Sequence, residues 1–165
     1  MVTDRSSVVT VRLDGSRVSI RRVAKEDLSA IHAWYEEAAT AAYDPLALEE
    51  RCRREESLGE LMAIVRPDSD EPIGLIEYLA GEPEDRWLTV AFIALAKAYR
   101  GWGYGSEAVR LLEAWAVREG LAERFRAEVD ARNGLGLYFW LRLGYRPLGV
   151  AEEGRAVLAM VRDTG

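Results

Sequence analysis

The stretch "AYRGWGYGSEAVRLLEAWA", Ala98–Ala116, places glycines at 101, 103 and 105 between an arginine and an amphipathic run. Glycine at alternate positions weakens any regular element, so the backbone must gain something by being bare there. Downstream, Ala108, Leu111, Leu112, Trp115 and Ala116 recur at helical spacing and predict one apolar helix face. Upstream, "RWLTVAFIAL" is almost continuously apolar, the pattern of a central strand covered on both faces. The glycines therefore occupy a strand-to-helix bend. A helix start carries N–H groups with no partner inside the helix, and the helix dipole adds partial positive charge there. Missing Cβ atoms let an anion reach those groups, and positive φ lets successive N–H groups converge. Arg100 adds a permanent forked charge. The bend predicts a seat for a pyrophosphate.

Outward from this bend the chain alternates strand and helix patterns. "VVTVRL" and "RVSIRRV" read as two strands joined at Asp14-Gly15. "AKEDLSAIHAWYEEAATAAY" carries Leu28, Ile31, Trp34 and Tyr35 at helical spacing. Pro45 opens a second helix, "PLALEERCRREESLG", ended by Gly59. "ELMAIVRP" and "IGLIEYLAG" are strands, with turns at "DSDEP" and "EPED". Gly120 caps the helix after the glycine bend, "RFRAEVD" is a strand, "NGLGLYFWLRLGY" a helix closed at Gly144, and "AVLAMVRD" the last strand. The order β-β-α-α-β-β-β-α-β-α-β predicts an α/β, three-layer arrangement with a mixed, mostly antiparallel sheet and one βαβ crossover over residues 88–130.

A chain of 165 residues with no repeat or long linker fits one domain, 1–165, with residues 1–17 as an extra N-terminal edge strand. One cysteine, Cys52, excludes an intrachain disulfide, and no apolar run has the length of a membrane span. With no signal-peptide pattern at the N-terminus, these features predict a cytoplasmic protein. The formal net charge is -6 with acids and bases interspersed, which argues against nucleic-acid binding and leaves an attraction for cationic amines open.

Two phosphate-binding patterns compete with a third. "GYGSEA" fits the dinucleotide fingerprint G-x-G-x-x-A, with Asp130 at the end of the next strand, but too little chain follows the bend to complete such a fold. No Lys-Ser or Lys-Thr follows the glycines, so a nucleoside-triphosphate loop is absent. "AKAYRGWGYGSEAVRLLEAW" instead resembles the acetyl-CoA-binding segment of the GNAT superfamily of N-acetyltransferases, written Arg/Gln-x-x-Gly-x-Gly/Ala, with Arg100, Gly103 and Gly105 in its places. "EVDARNGLGLYFWLRLGYRPLG" resembles the family's second segment, Asn-x-x-Ala-x-x-x-Tyr-x-Lys-x-Gly-Phe, through Asn133, Gly136, Trp140, Arg142, Gly144 and Tyr145. The element order agrees with the family from about residue 17 onward.

The resemblance implies a GNAT-like sheet with a splayed central parallel strand pair, "AFIAL" beside "AEVD". It implies an acetyl-CoA-dependent N-acetyltransferase that works by direct attack of a primary amine in a ternary complex, with acetyl-CoA as co-substrate and no metal. The cofactor-binding residues it implies are Leu95, Arg100, Gly101, Trp102, Gly103, Tyr104, Gly105, Ser106, Asn133 and Trp140. The Leu95 amide would polarise the thioester carbonyl. The strand position that family members often use for a base is apolar here, which leaves Glu77 in "IGLIEYLAG" as the candidate base, or else a solvent-facing strand residue. The family's tyrosine acid is replaced by Trp140, whose indole donates hydrogen bonds but is no acid near neutral pH. Tyr138 cannot substitute, since two residues along a helix turn it about 200° away. A non-catalytic acyl-CoA-binding or sensing domain is the alternative. The acceptor, a small molecule or a peptide, stays open, and the family allows a homodimer.

The remaining signals have quieter readings. His32, the sole histidine, has no partner at a motif spacing and reads as surface or core. Cys52 lies in "ERCRREE" without a nucleophile's motif, and the arginines around it read as a solvated, self-paired helix face. Trp34, Tyr35 and Tyr43 fall where the family builds its acceptor pocket, or pack the core.

Overall fold

The computed structural model describes residues 12–44, 46–55, 60–148 and 157–164. The longer elements lie where their residue patterns put them, although the second helix begins at Leu48 rather than beside Pro45. The strands are β1 Leu13–Asp14, β2 Ser19–Arg22, β3 Glu60–Val65, β4 Pro72–Ala80, β5 Trp87–Leu95, β6 Arg124–Asp130, β7 Arg146–Pro147 and β8 Val157–Asp163. The helices are α1 Leu28–Ala41, α2 Leu48–Glu55, α3 Tyr104–Arg118 and α4 Gly134–Arg142, with 3-10 turns at Lys25–Asp27 and Lys97–Tyr99. The short β7 and the two 3-10 turns are additions to the expected order; elements of two or three residues carry too few side chains to show a period. Pro45, Gly59 and most of the expected N-terminal edge strand lie outside the described residues.

One eight-stranded sheet runs β1-β2-β3-β4-β5-β6-β8-β7, antiparallel throughout except for the parallel pair β5–β6. α3 covers one face and brings Ala108, Val109, Leu112, Trp115 and Ala116 into a core with Ile20, Ile76, Leu88, Val90 and Phe125. A fully buried leucine or isoleucine there contributes roughly 1.5–3 kcal/mol by leaving water. α1 and α2 cover the other face through Ile31, Tyr35 and Leu48 against Leu61, Leu75 and Phe92. No helix among the described residues is long and apolar enough to cross a membrane.

The β5–β6 pair is short. Register runs Trp87↔Arg124 to Val90↔Ala127 and stops, although β5 continues to Leu95 and β6 to Asp130. The cause is visible on the other side of β5. Glu77 pairs with Phe92 and Tyr78 with Val90, so Ala91 has no partner on β4 and forms a bulge. A bulge bends its strand and increases local twist, and this one turns β5 away from β6 at the residue after their last pair.

α2 corrects the expectation of a solvated basic face. Arg51 is wholly buried, one turn beyond the buried Leu48 on the helix's inner side. Its Nη1 donates to Glu77 Oε1 at 2.8 Å and its Nε to the Tyr35 hydroxyl at 3.0 Å. Its guanidinium lies 3.8 Å from the centre of the Phe92 ring. Arg53 behaves as expected: it is exposed and pairs with Glu50. His32 is exposed, with Nε2 3.5 Å from Glu49 Oε1.

Candidate functional site

Where β5 and β6 part, the backbone leaves a cavity of about 460 Å³. One wall is β5 from Val90 to Leu95, and the other is β6 from Glu128 to Asp130. α4 closes one side with Asn133, Gly136, Phe139 and Trp140, and the end of α1 closes another with Ala38, Ala42, Tyr43 and Asp44. Arg100 and Gly105 stand where the cavity meets the glycine bend.

Beyond Val90 and Ala127 the two strand edges facing the gap are not paired with each other. Ala96 N–H donates to the Ile73 carbonyl of β4 at 2.8 Å. Successive residues of an extended strand point their N–H groups to opposite sides, so the Leu95 N–H faces away from β4, into the gap. The Leu95 carbonyl is already engaged, accepting from Arg100 Nε at 2.9 Å.

At the bend, Gly101 has φ +83° and Gly103 has φ +85°, a region open to glycine and strained for a side chain. Gly103 is the N-cap of α3 and offers no side chain to the helix's first amides. Among the described residues no protein group accepts from the amides of Gly101, Trp102, Gly103, Tyr104, Gly105 or Ser106; the first intrahelical bond runs from Glu107 N–H to the Gly103 carbonyl. Gly101, Trp102 and Gly103 are exposed, so solvent reaches this run of donors. Gly105 is needed for a different reason: a Cβ there would lie 3.3 Å from Phe139 Cε1, tightening the contact between α3 and α4 at the cavity. The outer part of the bend, Gly101–Gly103, is thus open to solvent.

Arg100 faces the cavity but is also engaged within the protein. Besides holding the Leu95 carbonyl, it pairs with Glu37 of α1 through both terminal nitrogens. That pairing holds the Glu37 carboxyl below the usual carboxylate range. The arginine ties the end of β5 to the bend and to α1.

One of the two readings of Glu77 is corrected. The residue is 1% exposed, so it is no solvent-facing residue, and it does not line the cavity. Its side chain shares the α1–α2 side of the sheet with its cross-strand neighbour Phe92 and is held by Arg51. A buried carboxylate of this kind needs its cation, and Arg51 is that cation. The same guanidinium reaches the cavity wall: Arg51 Nη2 lies 2.8 Å from Asp44 Oδ1, which also accepts from Leu46 N–H at 2.9 Å. The Nη2–Asp44 approach is a close ion pair off the line of a hydrogen bond. Asp44 Oδ2 has no partner among the described residues.

The other named residues spread along the site. Asn133 caps α4, its Oδ1 accepting from Gly136 N–H at 2.9 Å. Trp140 is 3% exposed and is both cavity wall and core, with its ring 5.0 Å from Phe139 and 4.7 Å from Tyr145. Tyr145 itself points into the core, where its hydroxyl donates to Glu113 Oε2 at 2.6 Å and burial pushes its ionisation upward. Tyr138 is exposed, as its rotation on α4 predicts. Trp102 is 66% exposed at the bend. Of the aromatics in and just after α1, Tyr35 is buried and donates to the Leu46 carbonyl, while Tyr43 lines the cavity with φ +58°. Arg132, clipped to Asp130 through its Nε and Nη2, places its guanidinium 5.0 Å from the Tyr43 ring and so bridges the cavity mouth.

Asp44, Phe139 and Arg132 are site residues that sequence reasoning missed. Asp44 is signalled only by its place after a helix, before Pro45; Phe139 falls inside the second motif at a position it leaves unspecified, and Arg132 just before its first residue, Asn133.

The family model for the acetyltransferase (GNAT) family matches residues 28–145. Among solved structures, an acetyltransferase (GNAT family) from Bacillus anthracis is similar with TM-score 0.76 at 14% identity, over 93% of this chain and 99% of that one. An acetyltransferase from Salmonella typhimurium that modifies the N-terminal serine of ribosomal protein L7/L12 gives TM-score 0.74 at 15% identity, over 90% and 96%. An acetyltransferase from Thermus thermophilus gives 0.68 at 20% identity, over 90% and 97%. No curated protein matches the chain.

Proposed function

The chain belongs to the acetyltransferase (GNAT) family, and from that premise we propose that it is an acetyl-CoA-dependent N-acetyltransferase acting on a primary amine by direct attack in a ternary complex. The observation that carries this reading is the run of amides from Gly101 to Ser106 that have no acceptor among the described residues, exposed at Gly101–Gly103, beside an unpaired strand edge. Those donors suit a diphosphate, and the gap between β5 and β6 suits an extended arm that borrows strand hydrogen bonds from both edges. The residues present therefore fit acetyl-CoA, which when bound supplies an acetyl group activated as a thioester.

Each residue then has a stated task. The amides of Gly101, Trp102, Gly103, Tyr104, Gly105 and Ser106 hold the diphosphate. Arg100 fixes the Leu95 carbonyl, leaving the Leu95 N–H as the donor that polarises the acyl carbonyl. Asn133 holds the first turn of α4 along the arm, and Trp140 packs beside it. The amine has to reach Leu95 from the α1 side. There Asp44 Oδ2 offers a carboxylate oxygen to an ammonium group and a place for its proton. Glu77 serves behind it, through Arg51.

The test is a thiol-release assay over a panel of small amines and peptide N-termini, run beside a CoA-binding measurement. Turnover on an amine, lowered by Asp44→Asn, supports the reading. Tight CoA binding without turnover on any amine would favour the sensing alternative, which the Trp140 replacement of the family's tyrosine recommends. Trp140→Tyr sharpens the point: it is expected to keep or raise turnover while lowering stability by about 1–3 kcal/mol, because the smaller ring leaves space beside Phe139 and Tyr145. Loss of turnover in the folded variant would mean that the indole's packing is what the site needs.

A further inference from the structure

The Gly101–Ser106 bend does not stand alone. Eighty-five residues earlier in the chain, Arg17 sends its Nη1 to the Trp102 carbonyl at 2.7 Å. Its guanidinium lies 5.1 Å from the centre of the Tyr104 ring. The room for this contact is made by Gly103, where a Cβ would lie 2.9 Å from Arg17 Nη2.

Arg17 is itself held from the other side of the bend. Glu107, in the first turn of α3, accepts the main-chain N–H of Arg17 and that of Val18, each at 2.8 Å, through Oε2. Its Oε1 accepts from Ser16 Oγ at 3.2 Å and from Arg17 Nε at 3.4 Å. Burial works against a charge on Glu107, but these donors outweigh it and hold its carboxyl below the usual range. Glu107 is therefore ionised at neutral pH. The β1–β2 turn, the first turn of α3 and the glycine bend form a closed ring of contacts.

The consequence follows from the peptide plane. In a trans peptide the carbonyl and the following N–H point in opposite directions. A guanidinium fastened to the Trp102 carbonyl therefore fixes the Gly103 N–H facing away from Arg17. Donation into the carbonyl also polarises that N–H as a donor. Without such a fastening a bend containing two positive-φ glycines has many other orientations for this plane.

We infer that Arg17 is a positioning residue for diphosphate binding, holding the Trp102–Gly103 peptide so that its N–H is aimed at the phosphate oxygens. The inference rests on the acetyl-CoA reading above, and it assigns the N-terminal hairpin, which precedes the family-matched segment at residue 28, a part in the cofactor site.

The experiment compares CoA with pantetheine, which carries the arm and thiol but no diphosphate. Arg17→Met is expected to weaken CoA binding about three- to tenfold, the loss of one aimed hydrogen bond. Pantetheine binding should stay unchanged, and the KM for acetyl-CoA should rise while kcat holds. Arg17→Gln, too short to reach the carbonyl, should do the same and serves if the methionine variant does not fold. Folded variants that bind CoA like the wild type, or that lose CoA and pantetheine affinity alike, would overturn the inference and leave the acetyl-CoA reading standing. A wild-type protein with no affinity for CoA would overturn both.

Discussion

Glu77→Ala is expected to destabilise the protein by about 3 kcal/mol or more, because it strands a buried arginine. Arg51 has no exposure, and Glu77 is its hydrogen-bonded anion at 2.8 Å. What remains after the substitution is Asp44, close at 2.8 Å but poorly aligned, the neutral Tyr35 hydroxyl and the face of the Phe92 ring. A charge in so dry a place is tolerated only while its partners are present. The pairing also predicts the remedy. Removing both charges with apolar residues of similar size, Arg51→Met with Glu77→Leu, should recover most of the loss, since a buried ion pair and a well-packed apolar pair are often close in stability. Urea unfolding followed by circular dichroism reads both. A single variant within about 1 kcal/mol of wild type would mean the guanidinium finds water, contrary to its burial. Turnover separates two readings of the same residue: the double variant, which also takes Arg51 away from Asp44, should keep part of its activity if Glu77 supports the site from behind, and would be inactive if Glu77 itself were the base.

Leu95→Pro is expected to lower turnover by about 10²- to 10³-fold, the usual effect of deleting one preorganised donor to a developing oxyanion. The position tolerates the change in the sheet because the Leu95 N–H faces the gap and takes no part in the ladder to β4; the neighbouring Ala96 N–H does that. The Leu95 carbonyl, held by Arg100, is retained. Leu95→Ala is the control, since it removes the side chain that packs near Gly74 and Gly105 but keeps the N–H. Thiol release should fall far more for proline than for alanine, with CoA affinity changed only a few-fold in either. Equal losses would assign the effect to packing.

Both expectations concern features that were unevenly legible in the sequence. The layers and the order of strands were readable because each long element carries its period: "LTVAFIAL" as a strand covered on both faces, Leu112 and Trp115 on a helix stripe. The glycine bend was readable because bare backbone at alternate positions has few other uses. The buried pair was not. Arg51 sits in a run of charges that looks solvated, and Glu77 in a strand where alternation allows either face; only their contact across 26 residues shows that each supplies the other's missing partner. The bulge at Ala91 that opens the gap leaves no mark in an apolar run, since it depends on register against β4. Arg17 was invisible for the same reason. Its partner is a main-chain carbonyl, and a carbonyl has no sequence signature.

The central claim is that the open amides at the start of α3 seat a diphosphate. A titration of 15N-labelled protein with CoA, followed amide by amide, tests it most directly. The amides of Gly101, Gly103, Gly105 and Ser106 should shift strongly, Leu95 should shift with them, and free pyrophosphate should reproduce the first group while leaving Leu95 in place. Shifts confined to another surface, or none at millimolar CoA, would contradict the account.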